Sequence, residues 1–271
     1  MKTTFPQLLL KHAAERPTDP AVREKEYGIW QTWTWKDAAQ TVQQLACGLL
    51  ALGFRRGQNL ALIGDNRPHL YMSMVAVQSV GGVPIPLYQD AVATEMTFVI
   101  EDAEVQFFFA ENQEQVDKLL EVRESVPSVT HIIYDDPRGL RNYEQPGLLR
   151  AGKQMAPRAE SHRAHPSALR ADARLHRPED VSVILYTSGT TGKPKGVCQT
   201  HSAFIASAQG GVEVDRLVPT DNIISYLPPA WVGDHLFSVA QRLVAGFTIN
   251  CPESAGTVSI DLREIGPTYY F

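Results

Sequence analysis

The sequence predicts an α/β fold in which mostly parallel sheets are covered by helices. Short runs with no polar face, such as Asn59–Ile63 and Val105–Phe109, recur along the chain. Strands of that kind must be buried on both sides. Between them lie segments whose apolar residues return at helical spacing, the order expected of strands joined by crossover helices. The chain has 271 residues, 44% of them hydrophobic and 20% charged. That is enough to bury a sizeable core, and it excludes a coiled coil, a collagen-like repeat and a wholly disordered chain.

Thr34-Trp35-Lys36-Asp37 has the form of a capping box. Behind it Ala38, Val42, Leu45, Ala46, Leu49 and Leu50 share one helical face, and Gly53 supplies a stop. Asn59–Ile63 reads as a buried strand ending at Gly64. A helix over about 68–80 halts at Gly81-Gly82 and feeds a strand over 83–87, whose Pro84 and Pro86 place it near an edge or leave it irregular. The cycle continues with a helix over 93–101, a strand over 105–109, a helix over about 114–126 and a strand over 130–134. Later strands are expected over 181–186, 222–227 and 247–250, with Val239, Leu243 and Val244 on a helix between the last two.

Several function classes fall away. With 25 Lys+Arg against 30 Asp+Glu the formal charge is −5, which lacks the basic surplus of a nucleic-acid binder. Cys47, Cys198 and Cys251 are too far apart for a metal motif or a disulfide framework, and suit a reducing cytoplasm. The N-terminus has no signal-like apolar core. The greasiest stretch, 70–87, is broken by Ser73, Gln78, Ser79, Pro84 and Pro86, so helix then strand is the better reading than a membrane span. No polybasic amphipathic helix argues for stable membrane binding, which leaves peripheral contact open. Residues 138–179 are expected to be an irregular Arg/Ala/Pro-rich linker. A basic arm, and a segment of 150–177 translated out of frame, are the alternatives for its Arg- and His-rich part.

The most informative stretch follows the strand over 181–186: Thr187-Ser188-Gly189-Thr190-Thr191-Gly192-Lys193-Pro194-Lys195-Gly196. Small and glycine residues let backbone N–H groups approach an anion, the four hydroxyls add hydrogen bonds, and Lys195 brings an ammonium. That chemistry suits a polyphosphate. The spacing is not that of a Walker A loop, since only two residues separate Gly189 from Gly192 and Pro194 follows Lys193.

Tyr186 to Gly196 resembles the signature phosphate loop of the AMP-forming adenylating enzymes, the superfamily of acyl- and aryl-CoA synthetases, luciferases and peptide-synthetase adenylation domains. Pro17-x-x-Pro20-Ala21, Trp33-Thr34-Trp35, the Gly64-Asp65-Asn66-Arg67-Pro68 turn and Gly82-Val83-Pro84-Ile85-Pro86-Leu87 extend the likeness over nearly the whole chain. Within the superfamily it is most similar to bacterial long-chain fatty acid–CoA ligases. The resemblance implies the N-terminal part of an adenylation domain over 1–271. It also implies ATP, Mg2+ and coenzyme A as the small molecules used, and a fatty acid activated through an acyl-adenylate. Thr187, Ser188, Gly189, Thr190, Thr191, Gly192 and Lys195 are implied to hold the β- and γ-phosphates, with Lys195 and Thr190 the catalytic pair. Lys193 falls at a position that varies in the family.

A second landmark is Tyr226-Leu227-Pro228-Pro229-Ala230-Trp231-Val232-Gly233-Asp234-His235. In the family an aromatic residue, commonly His, lies beside the acyl site at this point. Trp231 stands there in this chain; its broad apolar face suits an acyl group, but indole cannot shuttle a proton. Asp234 and His235 are expected to form a polar gate next to it, and His201 to enter a helix. The family's Tyr-Gly-x-Thr-Glu segment, its Thr-Gly-Asp and its C-terminal lid domain have no counterpart in the sequence, so the chain is expected to be an incomplete fragment without exchange activity of its own. A non-catalytic remnant that binds a nucleotide weakly, and a ligase for an aromatic or medium-chain acid, are the alternatives; oligomeric state and acyl chain length are not specified.

Overall fold

A computed structural model describes residues 3–152, 177–187 and 193–271. Most of the linker expected over 138–179, and Ser188 to Gly192 of the glycine-rich stretch, lie outside the described residues.

The chain opens with a helix the periodicity did not flag, α1 (Phe5–Glu15), with Pro6 in its first turn and the Thr4 N–H held by Gln7 Oε1 at 3.2 Å. A hairpin follows: β1 (Pro20–Glu26) and β2 (Ile29–Thr34). Its two turn residues, Tyr27 (φ +50°) and Gly28 (φ +74°), are both left-handed, the conformation that matches the strand twist. The charges of Arg23, Lys25 and Glu26 hide this hairpin from a search for apolar runs. α2 (Trp35–Ala51) carries the expected capping box: the Asp37 N–H donates to Thr34 Oγ1 (3.2 Å) and the Thr34 N–H to the Asp37 carboxylate (3.0 Å).

The next elements match the sequence reading closely: β3 (Asn59–Ile63), α3 (Pro68–Ser79), β4 (Val83–Leu87), α4 (Ala93–Asp102), β5 (Phe107–Ala110), α5 (Gln113–Val122) and β6 (His131–Tyr134). A short strand, β7 (Leu148–Arg150), pairs with β6 inside the stretch expected to be irregular. Three paired residues, all partly buried, are too few to leave a pattern. The five strands form an all-parallel sheet in the order β4-β3-β5-β6-β7, with the proline-bearing β4 at its edge as expected.

Alternation along this sheet builds two cores. Leu60, Leu62, Phe107, Phe109 and Ile133 face a core shared with α2 and α3, while Ala61, Ile63, Phe108, Ala110 and Ile132 face the core under α4 and α5. α3 is buried almost all round, which explains its greasy sequence. No helix among the described residues is long and apolar enough to cross a membrane.

β8 (Val181–Thr187) and β9 (Lys195–Thr200) form an antiparallel hairpin, and the glycine-rich stretch lies between them in sequence. α6 (His201–Asp215) leaves it with His201 as its first, buried residue, the helix-entry role expected of it. β10 (Asn222–Ile224) ends three residues short of the expected strand, because Ser225 turns inward to a buried polar cluster. The helical segment α7 is α-helical over Val232–Asp234, π-helical over His235–Gln241 and α-helical again over Arg242–Ala245. β11 (Thr248–Cys251) completes a second sheet, β10-β11-β1-β2, parallel except for the hairpin. α8 (Val258–Ile265) stands where the approach to a further strand was expected.

Arg67, at the N-cap of α3, clamps the two sheets together. Its guanidinium donates to Glu111 after β5 (3.0 Å) and to the Pro252 and Glu253 carbonyls after β11 (3.2 and 3.0 Å), and pairs with Glu24 of β1 at 3.3 Å. The turn at Asp65-Asn66 is thereby fixed in the crevice between the sheets.

Candidate functional site

Where β8 and β9 separate, Thr187 and Lys195 face each other across the ladder, both exposed. Of the expected phosphate-loop residues these two are described; Ser188, Gly189, Thr190, Thr191 and Gly192 are not. The ends of the hairpin rest on α4. The Tyr186 hydroxyl donates to the Asp102 carboxylate at 2.6 Å, and the Lys193 ammonium lies 5.5 Å from the centre of the Phe98 ring. Burial and the neighbouring carboxylate push the Tyr186 phenol well above its ordinary range, so it remains a donor. Gly196 sits opposite Tyr186. A Cβ there would come within 2.9 Å of Ile184 and 3.0 Å of the tyrosine ring, so the ring lies across β9 because residue 196 has no side chain.

An apolar cavity of about 850 Å³ opens beside Thr187, with Leu185 and Val197 of the hairpin on one side and Tyr226, Leu227, Trp231 and Phe237 on the other. A second cavity of about 400 Å³ adjoins it, walled by the polar turn Asp65-Asn66-Arg67 and by Asp90 and Ser254. Trp231 and Tyr88 border both. Half of Trp231 (50%) remains exposed, so its ring offers an apolar face at the cavity wall.

Asp234 and His235 lie elsewhere than the sequence reading put them. Neither lines either cavity; both point into the interior, with 1% and 0% of their surfaces exposed. The start of α7 at Val232 explains this. Trp231 and Val232 face outward, and the helical turn then carries the next polar pair under the wall. Asp234 accepts from Ser238 Oγ (2.7 Å), Tyr71 OH (2.9 Å), Ser225 Oγ (3.2 Å) and Asn66 Nδ2 (3.3 Å). Burial lifts its carboxyl to about 7 despite these donors. His235 is packed between Phe5 and Phe204, and neither ring nitrogen has a hydrogen-bond partner. Burial alone drops it to about 3, so it is neutral.

Sequence reasoning missed Asn66, Tyr71, Ser225 and Asp102. Asn66 stood in a turn that had been singled out, and Tyr71 was a polar-tipped ring in an apolar helix. Nothing local marks Ser225 or Asp102. Among the described residues no three His, Cys, Asp or Glu side chains converge to hold a metal ion.

Comparison with known proteins shows the family. The family described as AMP-binding enzyme matches residues 9–271. The chain is similar to the long-chain-fatty-acid–CoA ligase FadD15 of Mycobacterium bovis, 26% identical over 246 residues that cover 89% of this chain and 39% of that protein. It is also similar to the peroxisomal long chain acyl-CoA synthetase 7 of Arabidopsis thaliana, 31% identical over 230 residues, or 80% of this chain and 30% of that one. Among solved structures, the anthranilate CoA ligase AuaEII in complex with anthranoyl-AMP superposes with a TM-score of 0.79 at 18% identity, over 98% of this chain and 49% of that one. The chain thus spans about two fifths or less of the length of these curated relatives.

Proposed function

The chain belongs to the AMP-binding enzyme family, and from that premise we propose that it carries the phosphate-gripping loop and part of the acid-binding wall of a long-chain fatty acid–CoA ligase. In the reaction a carboxylate oxygen of the acid attacks the α-phosphorus of ATP. The bond to the bridging oxygen breaks, pyrophosphate leaves and an acyl-adenylate remains. The thiol of coenzyme A then attacks the acyl carbon, releasing AMP and one proton.

The observation that carries the reading is one of placement. Thr187, which stands opposite Lys195 across the hairpin, borders an apolar cavity of about 850 Å³ whose far wall holds Trp231. A polyphosphate and a greasy acid can therefore meet at one edge. The loop's task is electrostatic: its N–H groups, hydroxyls and Lys195 spread the charge that grows on the departing pyrophosphate and hold it in line with the attacking oxygen. Removing one such donor is expected to cost about 3 kcal/mol of barrier, on the order of a hundredfold in rate. Mg2+ enters with ATP on its phosphate oxygens, where it neutralises charge; none of the described residues is assigned to it.

Two titrations of the chain test the reading, one with a fluorescent ATP analogue and one with palmitate. Lys195→Ala is expected to weaken the nucleotide about tenfold and leave palmitate unchanged, and Trp231→Ala to do the reverse. Undiminished nucleotide binding by Lys195→Ala together with Thr190→Ala would remove the loop from the mechanism. Tighter binding of benzoate than of palmitate would move the substrate class to aromatic acids.

A further inference from the structure

Behind the wall that carries Trp231 lies a buried polar relay that ends on a carboxylate. Asn66 has two amide hydrogens, and its shortest contacts are the Tyr71 hydroxyl (2.7 Å) and the Leu227 carbonyl (2.9 Å). One of those hydrogens is shared with Asp234 at the longer distance of 3.3 Å; the Tyr71 hydroxyl donates to Asp234 at 2.9 Å, and Ser238 donates to the same carboxylate at 2.7 Å. Ser225, within 2.5 Å of the Tyr71 hydroxyl, 2.9 Å of Ser238 and 3.2 Å of Asp234, closes the cluster. Asp234, Tyr71, Ser225 and Ser238 are all buried.

Asn66 therefore donates both to the Leu227 carbonyl and to the Tyr71 hydroxyl, which donates on to Asp234, and that last link needs an acceptor. Leu227 precedes Pro228-Pro229, whose ring-locked φ angles pass its orientation on to Ala230 and Trp231. The Trp231 N–H meets the Pro228 carbonyl at 2.8 Å, closing the turn. Asn66 meanwhile borders the smaller cavity and Leu227 the larger one. One carboxylate, touching neither cavity, thus sets both sides of the Trp231 turn.

We propose that Asp234, acting through Tyr71 and Asn66, is a positioning residue that holds the Leu227–Trp231 turn in one pose and so fixes the shape of the acid-binding wall. The part concerning acids rests on the proposed function; the pose of the turn does not.

The test uses the chain labelled with 5-fluorotryptophan, its Trp231 resonance assigned with Trp231→Phe. Asp234→Asn keeps the shape of the side chain but puts an N–H₂ group where the relay needs an acceptor. Tyr71→Phe removes the middle link. Both are expected to shift or split the Trp231 fluorine resonance and to weaken palmitate about tenfold, with the ATP analogue within about twofold. Val239→Ala, a core truncation in α7 outside the relay, is the control: it costs stability and leaves the Trp231 resonance in place. An unmoved resonance in both relay variants overturns the proposal, as does the same movement in Val239→Ala. If the resonance moves only in the relay variants but palmitate fails to bind the unaltered chain, the positioning role stands and the acid-ligase reading falls.

Discussion

The two walls of the large cavity are built in opposite ways. The Trp231 wall is backed by buried groups: the carboxylate of Asp234 collects four donors from four other residues on α3, its N-terminal turn, α7 and the end of β10. The facing wall is a hairpin with one packed strand and one open one. Val183 and Leu185 of β8 are buried, whereas Lys195 to Cys198 of β9 are exposed. Among the described residues, its end is tied to α4 by the Tyr186–Asp102 hydrogen bond and a ring–ammonium contact. A buried network commits one geometry, because any displacement strands a donor away from water. A strand exposed on its outer face can adjust at little cost. The Trp231 wall, the proposed acid side, is therefore preset, and the hairpin wall, the proposed phosphate side, is left free to adjust.

Breaking the buried side is expected to cost most. Asp234→Ala leaves the Tyr71, Ser225, Ser238 and Asn66 donors facing an apolar void, and about 3 kcal/mol or more of stability is expected to go, read as a lower urea midpoint at pH 7. Asp234→Asn then isolates the charge. The folded carboxyl binds its proton up to about pH 7, against 3.8 for the ordinary group. The folded state thus holds more protons than the unfolded one across that window, and the unaltered chain loses stability as pH rises from about 4 to about 7. Asp234→Asn lacks that contribution. Its stability relative to the unaltered chain should rise over the same window, by up to about 4 kcal/mol. A flat difference between pH 4 and pH 8 would mean that the four donors, and not burial, set the ionisation of Asp234.

The sequence disclosed these two walls unequally. The proposed phosphate side was legible because its residues are local: hydroxyls, glycines and a lysine sit within ten residues, as a grip on one anion would require. The parallel sheet was legible for a similar reason, since each strand from Asn59 to Tyr134 is apolar on both faces and each helix between them carries its own stripe. The acid side was not. Asn66, Tyr71, Ser225 and Asp234 are spread over 168 positions and meet only after both sheets have closed on α3. Trp231 could be picked out as an aromatic after a double proline, yet the inward turn of Asp234 and His235 depended on where α7 began. The hairpin β1–β2 escaped for a different reason. Its strands alternate with charges, and its place beside β11 is a long-range pairing that no window detects.

His235 sharpens the contrast within the preset wall. It neighbours Asp234 and is as deeply buried, but both its nitrogens lack partners. His235→Leu removes two unsatisfied polar atoms and keeps the contact with Phe5 and Phe204, so a gain of about 1–2 kcal/mol at pH 7 is expected. The gain should widen in acid. The folded imidazole stays neutral to about pH 3, while the unfolded one takes up a proton below 6.5, so the unaltered chain loses stability as pH falls through that range. This slope opposes the one from Asp234, and each variant removes only one of them. Denaturation of His235→Leu at pH 7 and pH 5 reads the difference; a gain that shrinks toward pH 5 would mean that the ring finds a partner on protonation.

The smallest effect is expected on the open wall, and its value lies in where it appears. Tyr186→Phe removes the hydroxyl that reaches Asp102 and leaves the ring packed over Gly196. A charge-assisted bond at a partly exposed site contributes about 1 kcal/mol, so the urea midpoint should move only slightly. Backbone hydrogen exchange should move more, and locally. Lys195, Gly196 and Val197 stand opposite the end of β8, which the lost bond no longer fastens to α4, and the ladder is held by their alternate amides. They are expected to exchange about fivefold faster, with Ala61 and Leu62 in the centre of the parallel sheet unchanged. Faster exchange in both places would show that the hairpin opens only when the whole molecule does. The two walls would then share one stability, and the phosphate side would be as firmly set as the acid side.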